Sequence, residues 1–302
     1  MKVLTWACLI LFLLVTQGLQ SQTIDAPEDM PTWILLEKGK EYYEKKDFGS
    51  SLRMYRAVLE RKEYIPEAFM GIASIYEEEG EYDLAEKNYL QALAEEKNLY
   101  IPEDSFLLRY RLAAIYEQTK QYGKYEDLLH RIIASDELTL EKIALRNAMV
   151  RNLKESGIDK LVELYRLEIP QYRSAYAALG QFYYRTGRYE ESIEHFTLAL
   201  LHSLSTCING IAQKEPLYTV STVEELLLRC KREERILGYL ERINFFRDLY
   251  YAAGSLYAVG EYESADELWL LIQRHSSERS LVLKAAEQLR SPFIEPIVTL
   301  SP

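Results

Sequence analysis

The sequence is poor in the features that several protein classes require. It has three cysteines and four histidines in 302 residues, and no apolar run as long as the roughly 20 residues of a bilayer-spanning helix. It contains neither a glycine-rich phosphate loop nor a His-Glu-x-x-His pattern. Its formal net charge is −11, so it lacks the excess of lysine and arginine with which proteins neutralise nucleic-acid phosphates. These absences argue against an enzyme, a bound cofactor, a nucleic-acid partner and electrostatic docking on anionic lipid.

The composition nevertheless predicts a folded chain. Hydrophobic residues make up 48% of the sequence and charged residues 27%, which is enough apolar surface for a core. Two histidines, His195 and His202, are seven residues apart on one predicted helix. At about 1.5 Å per residue they are separated by about 10 Å, which is too far to share a metal ion. We therefore expect no metal site.

The N-terminus has the layout of a secretory signal. Lys2 precedes an apolar run over residues 3–15, and small and polar residues follow to residue 22. Cys8 lies inside the run, so its position does not predict a lipid anchor. We expect residues 1–22 to be a signal peptide that exports the protein to the periplasm or the extracellular space. The alternative is an uncleaved membrane anchor, which would export the remaining chain as well.

Removal of the signal would leave two cysteines, Cys207 and Cys230. An even pair in an exported protein can form a disulfide. Both residues are equally explained as buried apolar side chains. The sequence leaves these alternatives open.

A repeated unit organises the rest of the chain. Gly80-Glu81-Tyr82, Gly187-Arg188-Tyr189 and Gly260-Glu261-Tyr262 each lie between two apolar patterns of helical period. Asp47-Phe48 and Gln121-Tyr122 occupy the same point in two weaker copies. Glycine at the end of a helix favours a reversal of the chain, because it adopts positive φ without strain. The sequence therefore predicts helical hairpins.

Residues twelve positions apart within each copy also form a pattern, in which the first is always small. Two antiparallel helices joined by a tight turn approach closely at one level, where small side chains are needed. The five pairs are Gly39 with Ser51, Ala73 with Ala85, Ala113 with Tyr125, Gly180 with Ser192, and Ala253 with Ala265. We expect each pair to lie at a helix contact.

This combination of small, aromatic, glycine and proline positions resembles the tetratricopeptide repeat, a helical hairpin of about 34 residues. The resemblance implies an all-α fold, a right-handed α-solenoid, with an irregular segment and a C-terminal capping helix. The predicted divisions are a signal at 1–22, five hairpins at 23–202 with one degenerate hairpin near 138–169, an irregular helical insertion or degenerate repeat at 203–247, a hairpin at 248–275, a capping helix at 276–291 and an extended tail at 292–302. The apolar tail either packs back on the repeats or covers a partner surface.

The resemblance also places a binding groove. In this family the first helix of each hairpin lines the concave face, and several of its large side chains here lie off the packing stripe. The basic and asparagine clamp with which some of these domains hold chaperone tails is missing. The candidate groove residues are Trp33, Lys40, Tyr43, Met70, Glu77, Tyr110, Glu117, Gln181, Tyr184 and Arg185.

Three functions follow as hypotheses. The first is an exported scaffold or adaptor that binds a protein or peptide in the groove, within an envelope assembly; groove aromatics would equally suit self-association. A membrane would be contacted only through a partner or an uncleaved signal. The second is a transporter accessory or small-ligand binder with a pocket at 203–247. The third, which the missing motifs disfavour, is a hydrolase that uses Cys207 or His202.

Overall fold

The computed structural model describes residues 30–61, 65–167 and 170–296. These residues form fifteen α-helices and two short 3-10 helices, without a strand, so the predicted all-α fold of helical hairpins is confirmed. The helices are α1 Thr32–Glu44, α2 Phe48–Glu60, α3 Pro66–Glu78, α4 Tyr82–Ala94, α5 Asp104–Gln118, α6 Tyr122–Ile133, α7 Glu137–Leu140, α8 Ile143–Leu164, α9 Arg173–Arg185, α10 Tyr189–Ala212, α11 Val223–Cys230, α12 Glu234–Arg242, α13 Phe245–Ala258, α14 Tyr262–His275 and α15 Arg279–Arg290.

The chain divides into two compact units, unit 1 (Met1–Leu108) and unit 2 (Arg109–Pro302). In unit 1, α1 packs against α2, α3 packs against α4, and α2 joins the two hairpins by packing on α3. Leu35, Met54 and Ile72 lie at the centre of its first core cluster. In unit 2 the closest antiparallel pairs are α9 with α10 and α13 with α14, and the capping helix α15 packs on α14.

The five hairpin turns share one backbone geometry. The residue before each Glu-Tyr, Arg-Tyr, Asp-Phe or Gln-Tyr dipeptide has positive φ. In the first hairpin, for example, the N–H of Asp47 donates to the carbonyl of Tyr42 at 2.9 Å, the six-residue bond that closes a helix end. The positive-φ residues are Gly80 (77°), Gly187 (76°), Gly260 (93°), Lys46 (59°) and Lys120 (58°).

Two of the five predicted pairs are joined by a hydrogen bond where the hairpin helices meet. The hydroxyl of Ser51 donates to the carbonyl of Gly39 at 2.7 Å, and the hydroxyl of Ser192 donates to that of Gly180 at 2.8 Å. Each bond joins two helices directly at their crossing. The members of the other three pairs are all buried: Ala73 with Ala85, Ala113 with Tyr125, and Ala253 with Ala265.

Replacing Gly180 with alanine is expected to lower the free energy of unfolding by about 1–3 kcal/mol, the usual cost of overpacking. The new Cβ would lie 2.9 Å from the Phe196 ring, which is closer than carbon atoms normally approach. Urea unfolding followed by far-ultraviolet circular dichroism measures the change. Gly123→Ala is the control, because no atom lies within 4 Å of its Cβ position and alanine favours a helix. Equal stability of the two variants would contradict the predicted crossing.

The segment predicted as an irregular helical insertion or degenerate repeat starts as regular helix. Helix α10 continues ten residues beyond His202 to Ala212, so residues 203–212 are continuous with the preceding hairpin. Leu204, Cys207, Ile208 and Ile211 are buried along this extension, at the spacing of one helix face. This burial stabilises the helix past Gly210, although the low helix propensity of glycine alone would favour an end of the helix there. Thr222 caps the start of the next helix, α11, since its hydroxyl accepts from the N–H of Glu225 at 3.1 Å.

Helix α8 is interrupted at Gly157, inside the segment predicted as a degenerate hairpin. Gly157 has φ of 79° and ψ of −180°, and helical geometry resumes after it. The carboxylate of Glu267 accepts from the N–H of Ile158 at 3.0 Å and so caps the resumed helix. A Cβ at residue 157 would lie 2.2 Å from that carboxylate. Glycine is therefore required both by the backbone angle and by the close carboxylate.

The predicted signal at 1–22 lies outside the described residues, as do residues 297–302 of the tail. Within the described part of the chain, every helix is too short or too polar to cross a membrane. Residues 292–296 pack back on unit 2, which decides between the two alternatives for this part of the tail. The side-chain amide of Gln288 donates to the carbonyl of Phe293 and accepts from its N–H. The hydroxyl of Tyr250 donates to Glu295 at 2.9 Å.

Candidate functional site

Unit 1 contains an open groove with a volume of 660 Å³. The first helices of the two hairpins and the segment before α5 supply most of its walls, and Tyr55 of α2 forms part of its floor. Helix α1 contributes Trp33, Leu36, Glu37, Lys40, Tyr43 and Glu44; helix α3 contributes Glu67, Met70, Gly71 and Ser74; Tyr55, Tyr100, Asp104 and Leu107 complete it.

Helical spacing explains which side chains reach the groove. On α1, Trp33, Leu36 and Lys40 recur at three and four residues, and the Met70 and Ser74 positions of α3 do the same. The opposite stripes of these helices, which include Leu35 and Ile72, are buried in the core. Each helix therefore packs with one face and presents the other to the groove.

Large apolar side chains in the groove remain exposed. Trp33 is 61% exposed, Tyr100 is 65% exposed and Leu107 is 46% exposed. Exposed apolar residues scattered singly are ordinary, but several in one concavity mark a binding surface. Aromatic side chains are also frequent anchors at protein interfaces. The groove is thus shaped and lined to hold apolar side chains of a ligand.

The floor of the groove depends on glycine. The Tyr55 ring lies so close to both first helices that a Cβ at Gly71 would be 2.3 Å from it and one at Gly39 would be 2.7 Å from it. Burial raises the pKa of Tyr55 to about 12, so the phenol is neutral at physiological pH. The floor is consequently aromatic, uncharged and fixed in position by packing.

One carboxylate of the groove is held by the backbone of the neighbouring segment. Glu67 accepts from the N–H of Tyr100 at 2.7 Å through Oε1. Its other oxygen, Oε2, is buried and has no hydrogen-bond partner among the described residues. The two residues come from successive copies of one tetrapeptide, Tyr64-Ile65-Pro66-Glu67 and Tyr100-Ile101-Pro102-Glu103. This repeat was the sequence signal that would have identified both as groove residues.

Comparison with known proteins agrees with this geometry. Residues 36–101, which include most of the groove, match a tetratricopeptide repeat model, and residues 174–201 match a second model of the same repeat. Both segments are thus similar to tetratricopeptide repeats. Such repeats generally mediate protein–protein interactions and are typically non-catalytic, and their stacked helices form concave binding surfaces.

Two spirochaete proteins are similar to the chain. An uncharacterized protein of Treponema pallidum (strain Nichols) is 25% identical over 208 residues, which cover 68% of this chain and 56% of that protein. An uncharacterized protein of Borreliella burgdorferi (strain ATCC 35210 / DSM 4680 / CIP 102532 / B31) is 24% identical over 277 residues, which cover 81% of this chain and 85% of that protein. The chain thus spans little more than half of the Treponema relative, and neither name assigns a function.

Within the first two tetratricopeptide hairpins, four of the five predicted groove residues line the groove: Trp33, Lys40, Tyr43 and Met70. The fifth, Glu77, instead accepts from the hydroxyl of Tyr89 at 2.7 Å. That bond ties the two helices of the second hairpin together.

In unit 2 the predicted groove residues contact one another and their neighbours. The Tyr110 hydroxyl donates to the Gln171 carbonyl at 2.7 Å, and Arg185 pairs with Glu117 at 2.7 Å. Gln181 donates to Asp248 at 2.9 Å. These side chains join successive helical hairpins of unit 2.

Tyr184 is buried, so the prediction that it faces a partner is wrong. It is 6% exposed, and its ring lies 4.9 Å from that of Tyr251. The ring occupies the space beside Gly254, where a Cβ would lie 2.8 Å from it. Burial raises the pKa of the Tyr184 phenol well above its usual value. Tyr184, Tyr250 and Tyr251 form a tyrosine cluster, and the tail contacts it because the Tyr250 hydroxyl donates to Glu295 at 2.9 Å.

A second depression, of 370 Å³, lies in unit 2 and is strongly polar. Several of its charges pair within the protein: Lys154 lies 3.2 Å from Glu190 and 3.8 Å from Glu261. Glu194 pairs with Arg146 at 3.2 Å. This depression offers a ligand little apolar surface, so the groove of unit 1 is the better candidate site.

Cys207 and Cys230 are both buried free thiols in this structure. Interaction between the two thiols and burial raise the pKa of Cys207, whereas the same interaction lowers the pKa of Cys230. The structure thus brings the two cysteines together without the disulfide that was one of the two alternatives. Among the described residues, no group of three or more His, Cys, Asp or Glu side chains is arranged around a metal position.

Proposed function

We propose that this protein is an exported adaptor that binds a peptide segment of another protein in the groove of unit 1. One observation carries the proposal: a concave surface of 660 Å³ in which Trp33, Tyr100 and Leu107 remain exposed. The tetratricopeptide repeats that build this surface supply the general precedent for a protein partner. The layout of residues 1–22 supports export.

The two alternative functions have less support. The described residues that line the groove and the polar depression include none from 203–247, so neither cavity supports a small-ligand site at that segment. A hydrolase built on Cys207 is disfavoured because the thiol is buried and its pKa is raised. His202 is also buried, with a stacked Tyr176 ring on one side.

Replacing Trp33 with serine is expected to weaken partner binding by about 2 kcal/mol or roughly 30-fold, as for a central aromatic anchor. The full-length chain with a C-terminal affinity tag would be expressed in its native cells, and partners recovered with the wild type and the variant would be quantified by mass spectrometry. Leu283→Ser is the matched control, because Leu283 is also 61% exposed but lies on α15.

The proposal requires a protein that the wild type and the Leu283→Ser chain recover and the Trp33→Ser chain does not. The intact mass of the purified chain would show at the same time whether residues 1–22 are removed. Equal recovery with all three chains would move the binding site out of the groove. Recovery of untagged copies of the same chain would identify self-association instead.

A further inference from the structure

We propose that the groove selects a peptide segment in which a basic side chain is flanked by apolar ones; this rests on the function proposed above. The side chains lining the groove include four carboxylates, from Glu37, Glu44, Glu67 and Asp104, against one ammonium group, from Lys40. Charge complementarity at an interface favours the correct partner and repels like charge. The electrostatics of the groove therefore favour a cationic ligand.

Glu67 gives this preference a specific position. Its Oε1 is oriented by the N–H of Tyr100, while its buried Oε2 lacks a hydrogen-bond partner within the described chain. The Glu67 side chain lines the groove, and Tyr100 holds it in position. Its negative charge therefore attracts an ammonium or guanidinium group of the ligand to this part of the groove.

The aromatic lining suits the same ligand. Trp33, Tyr43 and Tyr100 offer ring faces that attract cations and also cover apolar side chains. Met70 and Leu107 provide purely apolar surface beside them. Such a lining accommodates a lysine or arginine between two apolar residues, whereas an acidic segment would meet the carboxylates.

The segments of the chain that precede α1 and follow α15 do not have this chemistry. Residues 23–29 contain Asp25, Glu28 and Asp29 and no basic residue. Residues 291–302 contain one charged side chain, Glu295. The protein as a whole has a formal charge of −11, so a second copy is also a poor electrostatic match. A basic segment of a different protein is the occupant that the charges favour.

Matched peptides test this selectivity on the chain from Thr23 to Pro302, which retains every described residue. Three fluorescein-labelled 12-residue peptides would share their leucine and phenylalanine positions and carry two arginines, two glutamines or two glutamates at the centre. Fluorescence anisotropy would measure their dissociation constants at 50 and 300 mM salt. The arginine peptide is expected to bind about tenfold more tightly than the glutamine peptide, and the glutamate peptide most weakly.

Two variants locate the effect. Glu67→Gln keeps an oxygen to accept from Tyr100 but removes the charge, so it should weaken the arginine peptide about tenfold and leave the glutamine peptide unchanged. Glu241→Gln, an exposed site on α12, is the control and should change neither. The wild type, Glu67→Gln and Glu241→Gln chains would also serve as bait for a phage library of random 12-residue peptides. The selected peptides should be enriched in basic residues next to apolar ones only with the two chains that retain Glu67.

The outcomes separate this inference from the proposed function. If all three peptides bind equally and Trp33→Ser abolishes their binding, the groove binds peptides but does not select a basic residue. If the selection enriches acidic or neutral sequences whose binding depends on Trp33, the groove again binds peptides but does not prefer a basic residue. If neither the peptides nor any library member binds in the groove, peptide binding itself is overturned.

Discussion

Replacement of Asp248 by alanine is expected to lower the free energy of unfolding of unit 2 by about 3–5 kcal/mol, because it leaves a buried guanidinium without a counter-charge. Asp248 and Arg173 form an ion pair between α13 and α9, with side chains that are 1% and 7% exposed. Gln181 donates to the same carboxylate at 2.9 Å, and Arg173 donates to the hydroxyl of Ser203 at 3.1 Å. The network thus connects three helices: the carboxylate joins α13 to α9, and the guanidinium joins α9 to α10.

Tryptophan fluorescence can isolate this effect. From Thr23 onward the chain has two tryptophans, Trp33 in unit 1 and the fully buried Trp269 in unit 2. In a Trp33→Phe background, urea unfolding followed by fluorescence reports on unit 2 alone. A loss below about 1 kcal/mol on Asp248→Ala would contradict the structure, since it would imply a solvated pair.

A double variant distinguishes the buried charge from lost packing. Replacing Arg173 with methionine and Asp248 with leucine removes both charges and retains most of the volume. Apolar replacement of a whole buried ion pair is often neutral or stabilising, so the double variant should recover most of the stability that Asp248→Ala loses. A double variant as unstable as Asp248→Ala would show that the Gln181 and Ser203 bonds, and not the charge balance, stabilise the junction.

Acidification is expected to destabilise unit 2 between about pH 6.5 and pH 4 through two buried histidines. Burial lowers the pKa of His195 to about 4, against the opposing effect of its hydrogen bond with the Glu191 carbonyl. Burial also lowers the pKa of His202 to about 4, although the nearby Asp136 raises it in part. In the unfolded chain each histidine has a pKa of about 6.5.

The order of these pKa values determines whether acidification stabilises or destabilises the folded chain. Because the folded-state pKa lies below the unfolded one, protonation favours the unfolded chain. The stabilisation is complete above pH 6.5 and is lost as the pH falls toward 4, by roughly 3 kcal/mol for each histidine. Burial raises the pKa of Asp248 to about 6, so that group acts in the opposite direction over the same range.

His202→Phe isolates one histidine, since the contribution of Asp248 is common to both chains. Neither ring nitrogen of His202 has a hydrogen-bond partner among the described residues, and its ring stacks on Tyr176 at 5.9 Å. Phenylalanine keeps the stacking and removes the titration. Urea unfolding of unit 2 at pH 7.5 and 4.5, read from Trp269, gives the free energy of unfolding at each pH. The loss of this free energy on acidification should be about 3 kcal/mol smaller for the variant. Parallel pH profiles would show that His202 is solvated.

The repeats were predictable from the sequence because they depend on contacts within one hairpin. Gly180 and Ser192 are twelve residues apart, and a tight turn alone brings them together. The groove face of α1 was predictable for the same reason, since helical spacing separates Trp33 and Lys40 from the buried Leu35. Lys46, whose backbone has positive φ, occupies the position that glycine has in the three copies with a glycine turn.

The rest of the candidate site depends on contacts between hairpins. Glu67 and Tyr100 are 33 residues apart, and only packing shows that the N–H of one meets the carboxylate of the other. Tyr184 has the helical phase of a groove residue, yet it fills the space beside Gly254, seventy residues later in the chain. Helix α10 likewise continues past residue 203 because its apolar face is covered by other elements.

By itself the sequence determined the helices, the five turns, the level at which paired helices cross and the acidic character of the chain, since each depends on local spacing or on composition. The tertiary structure alone decided which off-stripe side chains remain open to a ligand. In unit 1 they surround a groove. In unit 2 they pack within the protein, in the Arg173–Asp248 network, in the tyrosine cluster and against the tail. The physical reason is that helical phase determines the direction of a side chain, whereas the next hairpin determines whether that space is empty.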